Sequence, residues 1–311
     1  MLNEIQEKIL SIVADMKGTG EGAVNIRSDG KKAFRRNTEH IVIESKTDKD
    51  GIDIRIAPGT KHESVHIPVV LTQGGFRDMV YNDFYVGEGA DVTIVAGCGI
   101  HNCSGCDSQH DGIHTFYVGK NARVKYIEKH YGEGEGGGKR ILNPQTILYL
   151  EEGASVTLET SQIRGVDDTK RYTRAECRGA GSEIIIRENL LTHGDQSAVS
   201  EMDVFLSGFD TKAQVVSRSV AQGSSSQVFY PRVSGNNKCF GHVQCDAIIM
   251  GSAKVRAIPE ITCNHVDASL IHEAAIGRIA GEQILKLMTL GLTAEEAEQK
   301  ILEGFLRRAR E

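Results

Sequence analysis

Three segments of this chain are copies of one another. FYVGEGADVTIVA begins at Phe84, FYVGKNARVKYIE at Phe116 and LYLEEGASVTLET at Leu148, starts that fall 32 residues apart each time (116 − 84 and 148 − 116). Tyr85, Tyr117 and Tyr149 align, as do Ala90, Ala122 and Ala154, and Val92, Val124 and Val156. A fixed period of this kind means stacked units, none of which buries its apolar edge without a neighbour. Looser copies follow at SEIIIRENLL, MDVFLSGFDTKAQVVSRSV and SQVFYPRVSG. β-Branched residues in the strands and glycine at the turns fit a β-helix better than a helical bundle or a doubly wound sheet.

On either side of the repeats the pattern changes. Residues 3–16 form a short amphipathic helix, with Ile5, Ile9, Ile12, Val13 and Met16 on the face that would pack against the body of the fold. A glycine-rich link, 17–22, follows, and HIVIESKTDKDGIDIRIAPG reads as a strand pair about a Lys-Asp-Gly turn. Short strands continue to about Thr262. From Ala268, apolar Leu270, Ile271, Ala274, Ile279, Ile284, Leu287 and Met288 at spacings of three and four predict a helix over 269–290. Gly291 ends it, and Thr293 with Glu296 makes a capping box for a second helix, 294–308. An open stack of strands needs its end covered, and these helices are the natural cap. The expected division is an N-terminal helix and link (1–22), a β-helix core (23–265) and a C-terminal helical region (266–311).

Composition narrows the function. With 36 basic against 42 acidic residues there is no electrostatic footprint for nucleic acid. No apolar run approaches the roughly 20 residues of a membrane span. The first residues, MLNEIQEKILSIVADM, are charged throughout and do not read as a signal peptide. Seven cysteines, an odd number, then point to reduced thiols in a cytoplasm. The absence of Trp, with no signal peptide, counts against the alternative of a polysaccharide-active β-helix enzyme, which would use aromatic sugar platforms.

Four groups of residues invite chemistry. GEGEGGGKR at 132–140 matches G-x-G-x-x-G, but Pro144 and a strand follow where a phosphate loop needs a helix N-terminus, so it reads as a connecting loop and no nucleotide is bound here. His110 and His114 share a face of a strand about 13 Å apart at ~3.3 Å per residue, which disfavours one shared metal and favours histidines hydrogen-bonded within a turn. Cys98, Cys103 and Cys106 have the C-x4-C-x2-C spacing that holds clusters in plant-type ferredoxins, on a glycine-containing loop where side chains can converge. Finally, Cys245, Cys263, His265 and the pair His272-Glu273 gather where the period changes, with Cys239 close by; thiolate, imidazole and carboxylate are all iron ligands or sulfur acceptors.

CDAIIMG at 245–251, AIPEI at 257–261, HEAAIGRI at 272–279 and GLTAEEAE…GF at 291–305 resemble, in this order, the C-terminal core of the SufB/SufD family of iron–sulfur cluster assembly proteins. The resemblance continues upstream through SRSVAQGSSSQVF at 217–229 to about residue 20; the long N-terminal extension of fuller-length members is not in this sequence. It implies a right-handed parallel β-helix. It aligns Cys245 with a cysteine tied to cluster assembly, and His272 and Glu273 with residues that face it near a partner subunit. It implies a cluster scaffold rather than an enzyme, with an iron–sulfur cluster (4Fe–4S expected), a SufC-type ABC ATPase docked on the C-terminal helices, and pairing with itself or with a SufD-like paralogue. Apo iron–sulfur proteins would be the clients; a cluster-free, SufD-like regulator of the ATPase is the alternative. The spacing reading adds Cys98, Cys103 and Cys106 as holders of a stable cluster and leaves Cys245 to sulfur handling.

Overall fold

The computed structural model of the protein describes residues 2–16 and 20–307. Helix α1 (Glu4–Val13) starts at a reciprocal cap between Asn3 and Gln6. Two antiparallel hairpins follow, β1 (Ala23–Ser28) with β2 (Lys31–Arg36) and β3 (Ile41–Ser45) with β4 (Gly51–Ile56). The chain then coils through β5 (Lys61–His66), β6 (Val69–Leu71), β7 (Arg77–Val86), β8 (Asp91–His101), β9 (Ser108–Val118) and β10 (Arg123–Glu133). The middle coils use β11 (Arg140–Leu142), β12 (Gln145–Leu150), β13 (Ser155–Arg164), β14 (Asp168–Cys177), β15 (Glu183–Thr192) and β16 (Ser197–Leu206). The last are β17 (Thr211–Ala221), β18 (Ser226–Gly235), β19 (Cys239–Ile249), β20 (Lys254–Ala257), β21 (Glu260–Cys263) and β22 (Ala268–Gly277). Helices α2 (Gly281–Met288) and α3 (Ala294–Arg307) close the described chain. The link expected at 17–22 and the last residue of the second helix lie partly outside the described residues.

From β5 onward the coils alternate between two sheets, which are parallel except for the two hairpins at their N-terminal ends. One runs β2-β1-β5-β8-β10-β13-β15-β17-β19-β22; the other runs β20-β18-β16-β14-β11-β9-β7-β4-β3. The result is a β-solenoid of about eight turns, the fold class the repeats predict. The sequence copies are stacked coils: Phe84 pairs with Phe116 and Phe116 with Leu148. The Phe84 and Phe116 rings stack inside at 4.2 Å, while Tyr85, Tyr117 and Tyr149 form a ladder outside at 5.2 and 5.5 Å. Inward residues are buried and outward ones are not, and each fully buried aromatic or aliphatic side chain contributes about 1.5–3 kcal/mol. Gly89, Asn121 and Gly153 hold the turn between the sheets at φ 66°, 54° and 65°, which Gly and Asn adopt most easily. Later coils are shorter, Asp168 pairing with Ser197 and Ser197 with Ser226, which is why the copies loosen there.

Two features differ from the sequence reading. Residues 268–277 are a strand, β22, paired in parallel along β19, and helix begins only at Gly281. Leu270 and His272 also alternate, and the edge of β19 supplies backbone partners that outweigh the helix propensity of Ala, Leu and Glu. The helices, moreover, rest on the flank of the stack: α3 buries Ala297 and Leu302 and packs against β17. α2 buries no residue, and the inner face of β20–β22 remains partly exposed. The Thr293–Glu296 capping box is present as expected, with both reciprocal hydrogen bonds. At the other end, α1 lies across β8, where Gly97 and Gly99 admit it; a Cβ there would meet Val13 and Ile9 at 2.2 and 2.1 Å.

Candidate functional site

Cys245 and His272 stand on the last two strands of one sheet. His272 pairs with Val243, so it shares the inner face with Val243 and Cys245. The Cys245 Sγ lies 3.4 Å from His272 Nε2. Burial, with Glu188 and Asp246 nearby, pushes the thiol up to about 12, and burial lowers His272, with His242 adding to the effect. A neutral imidazole thus faces a protonated thiol, and a soft metal ion would displace that proton. Glu273 is placed differently. As the next residue along a strand it points outward, 3.5 Å from His242, so it does not join the pair. Cys239 is buried inside β19, Cys263 is exposed on β21, and His265 caps a turn at Asp267.

The Cys98–Cys103–Cys106 set does not converge. Cys98 is inside strand β8 and buried, whereas Cys103 and Cys106 are exposed on the loop beyond it. The inward parity of β8 explains the split: spacing on a loop can converge, but the first cysteine belongs to the strand. Among the described residues no group of three or more His, Cys, Asp or Glu side chains is arranged to hold a metal ion.

Cys98 belongs instead to a buried polar line that sequence reasoning missed. Burial pushes its thiol up, but His110 and His130 outweigh that and bring it to about 7. Against burial, Cys98 and Asp78 raise His110 to about 10. Asp78 accepts from Arg27 at 2.6 Å and pairs with His110 Nδ1 at 3.1 Å. His130 lies 3.2 Å from Glu128, whose other oxygen accepts from Arg171 Nη1 at 2.6 Å. Arg171 reaches Glu188 at 3.5 Å, and Ser217 donates to Glu188 at 3.0 Å. Ser217 is the register partner of Cys245, so the line runs inside the solenoid from the first coil to the terminal pair. The signal was there: the inward parity of Val124 and Tyr126 carries on to Glu128 and His130.

His110 and His114 are both in strand β9, on its inner face, not in a turn. Both rings lean over Gly112, where a Cβ would lie 3.1 Å from one Nε2 and 3.4 Å from the other. His114 is held by Tyr126 at 2.6 Å and Asn82 at 3.2 Å, and burial lowers it to about 4. The glycine run at 132–140 leads into strand β11, as a connector does. No described helix is long and apolar enough to cross a membrane.

Residues 78–305 match the family model for the SufBD core domain of the SUF system for iron–sulfur cluster assembly. The chain is 28% identical over 281 residues to an iron–sulfur cluster assembly SufBD family protein of Archaeoglobus fulgidus, covering 88% of this chain and 73% of that protein. It is 25% identical to one of Methanocaldococcus jannaschii, covering 97% of this chain and 98% of that protein. A third, of Methanothermobacter thermautotrophicus, is 27% identical, and this chain spans 64% of its length.

Proposed function

This chain belongs to the SufBD family of iron–sulfur cluster assembly proteins, and from that premise we propose that it is a scaffold on which a cluster is built and handed on, not an enzyme that turns over a small substrate. The observation that carries this reading is the Cys245–His272 pair, at 3.4 Å on the inner face of the terminal coil. A thiolate and an imidazole are both iron ligands, and two donors are half of what a cubane takes. A second copy of the chain, or a paralogue, would complete the set. The last coil supports such pairing, because Ile258, Ile261, Val266, Ile271 and Ile276 are exposed on it. A cluster divided between two protomers is released when they separate, which suits cargo.

The pairing would be driven from outside. The glycine run leads into a strand, so we assign the energy source to an ABC-type ATPase docked on α2, where Leu285, Met288 and, just beyond the helix, Leu290 are exposed. Cys98 and the polar line support a role in sulfur handling: a thiol near 7 is partly thiolate at neutral pH, and thiolate is the form that attacks sulfur. Seven free cysteines suit a reducing cytoplasm, with apo iron–sulfur proteins as recipients.

The test is anaerobic reconstitution with ferrous iron and sulfide, followed by Mössbauer and EPR spectroscopy of wild type and Cys245→Ser. A coloured wild type and a colourless variant support the scaffold. A wild type that stays colourless, yet stimulates the ATPase, makes the chain a cluster-free regulator.

A further inference from the structure

The scaffold reading leaves unused the loop Asn102–Asp107 and the glycine run behind it. Cys103 Sγ lies 3.1 Å from His101 Nε2, and His101 Nδ1 lies 3.3 Å from Glu133 Oε1. The other oxygen of Glu133 accepts from Tyr131 Oη at 2.8 Å and from Lys8 Nζ at 2.5 Å. A thiol, a base and a carboxylate that orients the base, in line and within reach, form the constellation of an activated nucleophile. Cys103 and Cys106 are both exposed, and Cys103-Ser-Gly-Cys106 is a C-x-x-C dithiol.

The loop is built to hold this arrangement. Asn102, fully buried, donates to the carbonyls of Cys106 and Gly138 at 2.9 and 3.2 Å and accepts from the Ser104 amide at 2.9 Å. The glycine run is its bed. A Cβ on Gly134, Gly136 or Gly138 would meet the carbonyl oxygen of Asn102, Ser104 or Cys106 at 2.3, 2.3 or 2.0 Å. That close approach of two backbones accounts for GEGEGGG, which nucleotide chemistry does not.

We propose that Cys103 and Cys106 are a redox-active dithiol that takes sulfane sulfur from a persulfide and releases it as sulfide. His101 Nε2 accepts the Cys103 proton, and the thiolate attacks the outer sulfur of R–S–SH. The Cys103–sulfur bond forms, the S–S bond of the persulfide breaks, and R–S⁻ leaves, taking up the proton from the imidazolium. Cys106 then attacks Cys103 Sγ; the Cys103–Cys106 bond forms and hydrosulfide leaves, taking up the Cys106 proton. Two thiols supply the two electrons that carry the transferred sulfur from the sulfane to the sulfide level, and an external dithiol restores the pair. Only the destination of the sulfide rests on the assembly reading.

The experiment uses the reduced, iron-free full chain, freed of reductant under anaerobic conditions and mixed with glutathione persulfide. Wild type releases one sulfide per chain and acquires a Cys103–Cys106 disulfide, read by peptide mass. Cys103→Ser releases none. Cys106→Ser stops with one extra sulfur on Cys103, and His101→Gln slows release by about 10²-fold. Sulfide release by the Cys103→Ser/Cys106→Ser double variant at the wild-type rate overturns the proposal, as does prompt release by Cys106→Ser. Reconstitution of that double variant with inorganic sulfide bypasses the loop: a cluster that forms confirms an intact fold and confines the defect to sulfur reduction. No cluster in either protein counts against the assembly reading instead.

Discussion

Cys245 and His272 meet across two parallel strands, Sγ to Nε2 at 3.4 Å, while Glu273, the next residue, faces outward to His242. The strand parity separates two residues that the sequence presents as a pair. Cys245→Ser and His272→Ala are therefore expected to lose most of the cluster absorption after reconstitution, and Glu273→Gln to retain it. Iron and sulfide content per chain check this. A Glu273→Gln protein as depleted as Cys245→Ser would mean that the carboxylate turns inward and ligates.

Cys98 gives a pH signature. Its thiol lies near 7 against an ordinary 9.0, and His110 near 10 against 6.5. The lowered thiol stabilises the fold in full above pH 9.0 and loses that contribution as pH falls through about 7. The raised imidazole stabilises it in full below 6.5 and loses that contribution as pH rises through about 10. Between about 7 and 10 both are charged and attract each other. The thiolate absorbance of wild type minus Cys98→Ser should rise with a midpoint near 7. A midpoint at the ordinary value would remove the ion pair from the account.

Arg171 is buried between Glu128 and Glu188, 2.6 and 3.5 Å away. Removing it strands two buried carboxylates, and loss of one partner from a buried ionic group destabilises by about 3–5 kcal/mol. Arg171→Met should lower the denaturation midpoint accordingly, and adding Glu128→Gln and Glu188→Gln should recover part of the loss. An Arg171→Met protein within about 1 kcal/mol of wild type would show that water reaches the line.

The same parity explains what was legible in the sequence. Tyr85, Tyr117 and Tyr149 announced the coil and its register because their coils share one length, and the solenoid followed from them. Residues 268–277 misled because Ala, Leu, Ile, His and Glu satisfy a helical spacing and a strand alternation together; only the free edge of β19, distant in sequence, decides between them. The cysteine spacing misled for a related reason. Cys98 and Cys103 are close in sequence, but the strand ends between them, and one side chain is committed to the interior. Glu128, His130 and Arg171 drew no reading from the sequence, since no single strand shows that their partners sit across the interior of the coil.

Docking of the ATPase on α2 is the remaining prediction. This helix has no buried residue, yet Leu285, Met288 and, just beyond it, Leu290 are exposed. An apolar stripe left open on a short helix at the flank of a rigid stack is a surface for a partner's groove. Leu287, by contrast, is only partly exposed, so substituting it would disturb the packing as well as the surface. Leu285→Asp with Met288→Asp is expected to abolish co-purification with the ATPase while leaving the far-ultraviolet circular dichroism and thermal midpoint unchanged. Leu302→Asp is the control: that residue is on the buried face of α3, so a charge there should lower the thermal midpoint itself. A complex that still forms with the double variant would move the docking surface off α2.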